Sequence, residues 1–185
     1  MTVMKSLPNI LTLSRIFVIP ALVAAFYIDA PLGNWIAFAL FTLASITDFF
    51  DGMIARAYGA TSKLGQFLDP VADKLMVAAT IVMLAAFDRV TGVHILALVV
   101  ILCREILVSG LREFLAEIRV RMPVTALAKW KTTIQMVAMA TLLIGEAAPP
   151  WLPAGIVGLA CLWLAALLTI YTGYDYLRAG LKHMS

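Results

Sequence analysis

Residues 94–115 read HILALVVILCREILVSGLREFL. Arg104, Glu105, Arg112 and Glu113 interrupt an apolar run long enough to cross a bilayer, which takes about 20 residues. The run is continuous rather than alternating, so it predicts a helix and not a strand of a membrane barrel. Five further runs of this kind surround it, at roughly 10–28, 35–56, 70–87, 126–145 and 155–176. Pro31 and Gly33 separate the first two, Gly59 and Gly65 the next two, and Gly92 the third and fourth. Pro123 precedes the fifth, and Pro149, Pro150 and Pro153 precede the last. The expectation is an all-α, polytopic membrane bundle of six transmembrane helices. It forms a single domain over 1–185, with no linker, repeat or low-complexity tract. The first run is too long for a secretory signal core and no A-x-A site follows it, so the N-terminus is expected in the mature protein.

Composition agrees. The chain of 185 residues is 63% hydrophobic and 14% charged, against about 45–50% and about 25% in soluble domains. That excludes an ordinary soluble globule, a disordered chain and a disulfide scaffold. Cys103 and Cys161 lie in apolar runs and read as small core residues. Trp35 and Trp151 are expected in outer loops, as an aromatic belt. Lys5, Arg56, Lys63, Lys74, Arg112, Arg119, Arg121, Lys129, Lys131, Arg178 and Lys182 fall on one membrane side, and Arg89 on the other. The positive-inside rule then places both termini in the cytoplasm. These basic residues abut spans and carry no nucleic-acid motif, so nucleic acid is not expected as a partner.

The acidic residues are concentrated. Asp48, Asp51, Asp69 and Asp73 fall within 48–73, at the end of the second run and the start of the third. Asp48 and Asp51 are spaced i, i+3, and Asp69 and Asp73 i, i+4, so each pair shares a helix face. Asp69–Pro70 reads as a helix start, an N-cap acceptor before a first-turn proline. One such aspartate alone reads as a cap or a solvated charge. Four paired ones repel unless a cation compensates them. Oxygen ligands without His or Cys select Mg²⁺ or Mn²⁺ over zinc, and two ions could share a bridging carboxylate. The residues between suit a phosphate ligand. Gly52 leaves the backbone open, Ala55 keeps the face small and Arg56 offers a guanidinium. Thr61 and Ser62 offer hydroxyls, and Gly65 is expected to make a tight turn.

Basic groups in the later spans suit an anionic acceptor. Arg104 lies inside a span, where an ionisable group is costly and is either functional or paired, here with Glu105. Arg112 follows near the span's end. Lys129 and Lys131 open the fifth span and cannot share one face, so one points inward and the other reaches headgroups. A ligand carrying its own phosphate fits such a pocket better than an uncharged one. Asn9, Thr12 and Arg15 lie three apart on one face and could close the site from the first span.

The stretch D48-x-x-D51-G52-x-x-A55-R56-x8-G65-x3-D69-x3-D73 resembles the full signature of the CDP-alcohol phosphatidyltransferase family. The resemblance implies transfer of a phosphatidyl group from CDP-diacylglycerol to an alcohol, with release of CMP. It implies Asp48, Asp51, Asp69 and Asp73 as metal ligands and Asp73 as general base. Gly52, Arg56 and Ser62 would contact the CDP portion, with Ala55 giving it room. The stretches 8–15, 104–113 and 129–135 are similar to the bacterial branch that uses sn-glycerol 3-phosphate, and a homodimer in the bacterial inner membrane is implied with it. Phosphatidylglycerol and inositol phosphate are the alternative acceptors. A divalent-cation transporter is the competing class, but its acids would sit near the bilayer midplane on broken helices of repeated halves.

Overall fold

The computed structural model describes residues 16–58, 63–118, 120 and 126–181, and omits the side chains of 49–58, 63–67, 69 and 126. Among these residues the fold is all-helical, with six α-helices and no strand. They are α1 through Ile16–Ala25, α2 Leu32–Tyr58, α3 Lys63–Ala86, α4 Ile95–Glu117, α5 Ala126–Ile144 and α6 Ala154–Leu181. Single 3-10 turns at Gly92–His94 and Gly145–Ala147 lead into α4 and out of α5. Gly92 and Gly145 turn the chain with positive φ, at 57° and 48°.

Each expected run contains a helix, but several local signals read differently in space. Asp69–Pro70 does not start a helix. α3 begins at Lys63, and Pro70 lies inside it. The proline removes one backbone donor. Apolar positions 64, 67, 68, 71 and 72 nevertheless keep helical spacing across it, so the same face continues on both sides. The Lys74 ammonium donates to the Pro70 carbonyl at 3.1 Å. Gly65 accordingly makes no tight turn. It lies in the first turn of α3, where backbone donors lack intrahelical partners anyway and glycine costs little. Trp35 is in α2 rather than in a loop, while Trp151 is in a turn, and both are exposed. Cys103 is exposed rather than buried, on an apolar helix where a thiol is no more polar than its surroundings require.

Among the described residues two helical segments, Gly92–Glu117 and Ala154–Leu181, are long and apolar enough to cross a membrane. α6 also exposes Leu164, Leu167, Ile170, Tyr171 and Tyr174. Water would not tolerate that stripe, whereas lipid solvates it. The protein is membrane-embedded.

The chain forms two compact units. The first takes the chain up to Arg89 together with Leu143–Leu152, and the second takes Val90–Leu142 and the chain from Pro153 onward. In the first, Ala37, Phe41 and Ala44 form the buried stripe of α2, and Ala72, Met76, Thr80 and Leu84 that of α3. Phe87 closes it against Phe26 and Tyr27, with ring centroids 5.3 and 5.1 Å apart. At one end Asn34, 4% exposed, donates to the Ile144 carbonyl at 3.1 Å and accepts from Arg89. Gly33, expected as a break, is the second residue of α2. A Cβ there would lie 2.3 Å from the Ile28 carbonyl oxygen and 2.5 Å from that of Ala25, so only glycine permits the approach.

In the second unit α4 and α6 run parallel in constant register. His94 meets Trp163, Arg104 meets Gly173 and Leu111 meets Gly180, each pair 69 positions apart. Small residues make this possible. Ala165, Ala166, Thr169, Thr172, Gly173 and Gly180 are all buried on α6, which lets backbones approach where no hydrophobic drive exists between helices in lipid, and Gly158 packs against Leu142 of α5.

Gly33→Ala is expected to destabilise the protein by about 2 kcal/mol, as overpacking against rigid backbone does. Gly110→Ala, where a Cβ would meet nothing within 4 Å, should leave the thermal midpoint in detergent unchanged or raised. Equal midpoints for the two variants would remove the close approach at Gly33.

Candidate active site

The buried stripe of α2 does not stop at Ala44. Counting on by four and by seven from Ala44 reaches Asp48 and Asp51, so the face that packs the first unit carries acids toward the end of the helix. The stripe of α3 runs back from Met76 to Ala72, Asp73 and Asp69 in the same way. Four residues separate the two helices. Asp48 and Asp73 are half-buried, and each has an interaction partner. Asp51, Asp69, Gly52, Ala55, Arg56 and Gly65 occupy helical backbone, but their side chains lie outside the described residues, and Ser62, Asn9 and Thr12 lie outside them altogether. The described side chains alone hold no group of three or more metal-ligating residues.

Arg104, Arg112, Lys129 and Lys131 lie among the described residues. Lys131 and Lys129 divide as the spacing requires: Lys131 is 2% exposed and Lys129 is exposed. Arg112 is exposed as well. The Lys131 ammonium and the Arg104 Nη1 both bind one oxygen, Glu105 Oε1, the latter at 3.2 Å. Two cations thus share one carboxylate, and the trio carries a net positive charge. From α6, Thr172 Oγ1 accepts from Arg104 Nη2 at 3.1 Å, and the Tyr176 ring lies 5.7 Å from the guanidinium carbon. Arg104 Nε and Gln135 Oε1 are enclosed without a hydrogen-bond partner. Gln135 stands one turn beyond Lys131 on the same face of α5. A phosphate or a polyol hydroxyl would offer the polar partners that Arg104 Nε and Gln135 Oε1 do not have.

Glu105 as a bridge, and Thr172, Gly173 and Tyr176 as neighbours of Arg104, were not legible in advance. Their only signal is a polar repeat at helical spacing, Thr169, Thr172 and Tyr176, inside an otherwise apolar span.

Comparison with known proteins places both regions in one family. The family model described as CDP-alcohol phosphatidyltransferase matches residues 5–171. The chain belongs to this family. A Rickettsia felis protein named CDP-diacylglycerol–glycerol-3-phosphate 3-phosphatidyltransferase is 49% identical over 183 residues, 99% of either chain. Proteins of the same name from Pectobacterium atrosepticum and Haemophilus influenzae are 40% and 38% identical, covering 94% of this chain and 94% and 92% of their own. The phosphatidyltransferase match includes the aspartate stretch and the Arg104–Glu105–Lys131 trio alike.

Removing the shared carboxylate leaves two cations buried together, so Glu105→Gln should cost about 3 kcal/mol or more. Adding Lys131→Met should recover part of that loss, read as a non-additive double-mutant cycle of thermal midpoints in detergent. Strictly additive losses would show that the trio is not a coupled unit.

Proposed function

We propose that the protein transfers the phosphatidyl group of CDP-diacylglycerol to sn-glycerol 3-phosphate, forming phosphatidylglycerophosphate and releasing CMP. The observation that carries this reading is the complete aspartate signature, with both acid pairs in register on α2 and α3, in a chain 49% identical over 99% of its length to a protein named for that reaction.

Asp48, Asp51, Asp69 and Asp73 would hold one or two Mg²⁺ or Mn²⁺ ions. The donor set fits, being oxygen only and placed half in and half out of the core at Asp48 and Asp73, and the family is generally dependent on divalent metal. Bound there, the metal would neutralise the pyrophosphate and stabilise departing CMP. Asp73 takes the proton from the acceptor hydroxyl, whose oxygen attacks the phosphatidyl phosphorus as the bond to the CMP oxygen breaks. Gly52, Ala55, Arg56, Ser62, Gly65, Asn9 and Thr12 bind the CDP portion. Arg104 and Lys131 meet the acceptor phosphate, and Arg112 and Lys129, both exposed, guide it in. Arginine suits the task because its planar fork matches two phosphate oxygens.

The chain works as a single catalytic domain of six spans, with both termini and the site facing the cytoplasm. It acts as a homodimer in the bacterial inner membrane. The lipid donor gives a reason for a site at a membrane edge: acyl chains stay in the bilayer while the nucleotide and acceptor arrive from water.

Asp73→Asn should lower CMP release by about 10²- to 10⁴-fold, the usual worth of a general base, with the thermal midpoint retained. In the parent protein, chelation of divalent metal should abolish release, and Mg²⁺ or Mn²⁺ should restore it. An acceptor panel of sn-glycerol 3-phosphate, inositol phosphate, serine and phosphatidylglycerol with labelled CDP-diacylglycerol decides the acceptor. Preference for any of the last three would reassign it.

A further inference from the structure

Arg104 lies along α6 in a way that its own helix does not impose. Its Nη2 donates to Thr172 Oγ1 at 3.1 Å, and its guanidinium carbon stands 5.7 Å from the centre of the Tyr176 ring, one turn further along α6. Thr172 gives its own proton to the Leu168 carbonyl at 2.8 Å, which leaves its oxygen turned as an acceptor toward the arginine. Between these two contacts is Gly173. A Cβ at that position would come within 3.1 Å of Arg104 Cγ, so the absence of a side chain is what lets the arginine stem cross the helix. Thr172 and Tyr176 are 2% and 5% exposed and the Arg104 side chain 13%, so this face is largely shielded from solvent. Nε is enclosed without a partner. An arginine placed only for packing would satisfy that donor or be absent. Holding the guanidinium in one pose at that cost points to a geometric requirement on the guanidinium itself.

We propose that Thr172, Gly173 and Tyr176 form a cradle on α6 that presets Arg104 for the acceptor phosphate. They are positioning residues, acting through Arg104, and the inference rests on the reading that Arg104 meets the acceptor phosphate. A free arginine samples many rotamers and must be ordered when its anion binds. A cradled one is ordered beforehand, and the gain appears in affinity for the acceptor alone.

Thr172→Val keeps the shape and removes the acceptor oxygen. It should raise the KM for sn-glycerol 3-phosphate about 5- to 10-fold, within the net worth of one intramolecular hydrogen bond. The KM for CDP-diacylglycerol should not move, and Thr172→Ser should restore the parent value. Gly173→Ala pushes on the arginine stem and should raise the same KM by a similar or larger factor. If it fails to fold, the threonine pair decides alone. Similar increases in both KM values, or Thr172→Ser behaving as Thr172→Val does, would overturn the cradle. Arg104→Ala measured beside them separates the two levels of the argument. A raised acceptor KM in Arg104→Ala with none in Thr172→Val sinks the cradle only. An unchanged acceptor KM in Arg104→Ala sinks the acceptor reading beneath it.

Discussion

An ion buried among apolar helices is tolerated only when its charge and its hydrogen-bonding groups are met by partners in good geometry, because desolvation alone costs several kcal/mol per ion. Glu105 meets part of that demand for two cations at once, Arg104 from its own helix and Lys131 from α5. Sharing one oxygen restricts where α5 can sit against α4, since the Lys131 ammonium has to reach it. It also leaves the trio one positive charge in excess. The constraint that sets the packing of the second unit therefore also fixes where these charges lie.

The first unit ties site to fold by periodicity instead. The residues that bury α2 recur every three or four positions, and Asp48 and Asp51 continue the count. α3 repeats the pattern in reverse, with Asp69 and Asp73 preceding Ala72 and Met76 on one face or its edge. A helix that rotated to expose these acids fully would pull Phe41 or Met76 out of the core as well. Acid placement and core packing are one choice of helix rotation.

The helices were readable in the residues because continuous apolarity and the 3.6-residue repeat are properties of short windows. The pairing of the aspartates and the division between Lys129 and Lys131 follow from the same repeat. The start of α3 was not readable at Pro70, because the local proline signal competes with an apolar pattern running through it from residue 64, and the longer pattern prevails. Whether Arg104 pairs internally was an open choice in the sequence. It depends on how near α5 comes to α4, which no local window contains. Thr172, Gly173 and Tyr176 were invisible for a different reason. They carry no charge, and a threonine, a glycine and a tyrosine in an apolar span look like packing until the arginine opposite them is seen.

Parallel register makes that last group more than a local contact. Trp163 Nε1 donates to His94 Nδ1 at 2.9 Å near one end of the α4–α6 seam, and Gly180 abuts Leu111 near the other. Arg104 and Gly173 lie between, at the same offset. Two helices held at both ends cannot slide or turn independently in the middle, so the guanidinium inherits its position from contacts more than a turn away on either side. Close backbone approach through small residues is what a membrane offers in place of a hydrophobic drive. Here it fixes how Arg104 lies against α6, which a longer residue at Gly173 or Gly180 would disturb.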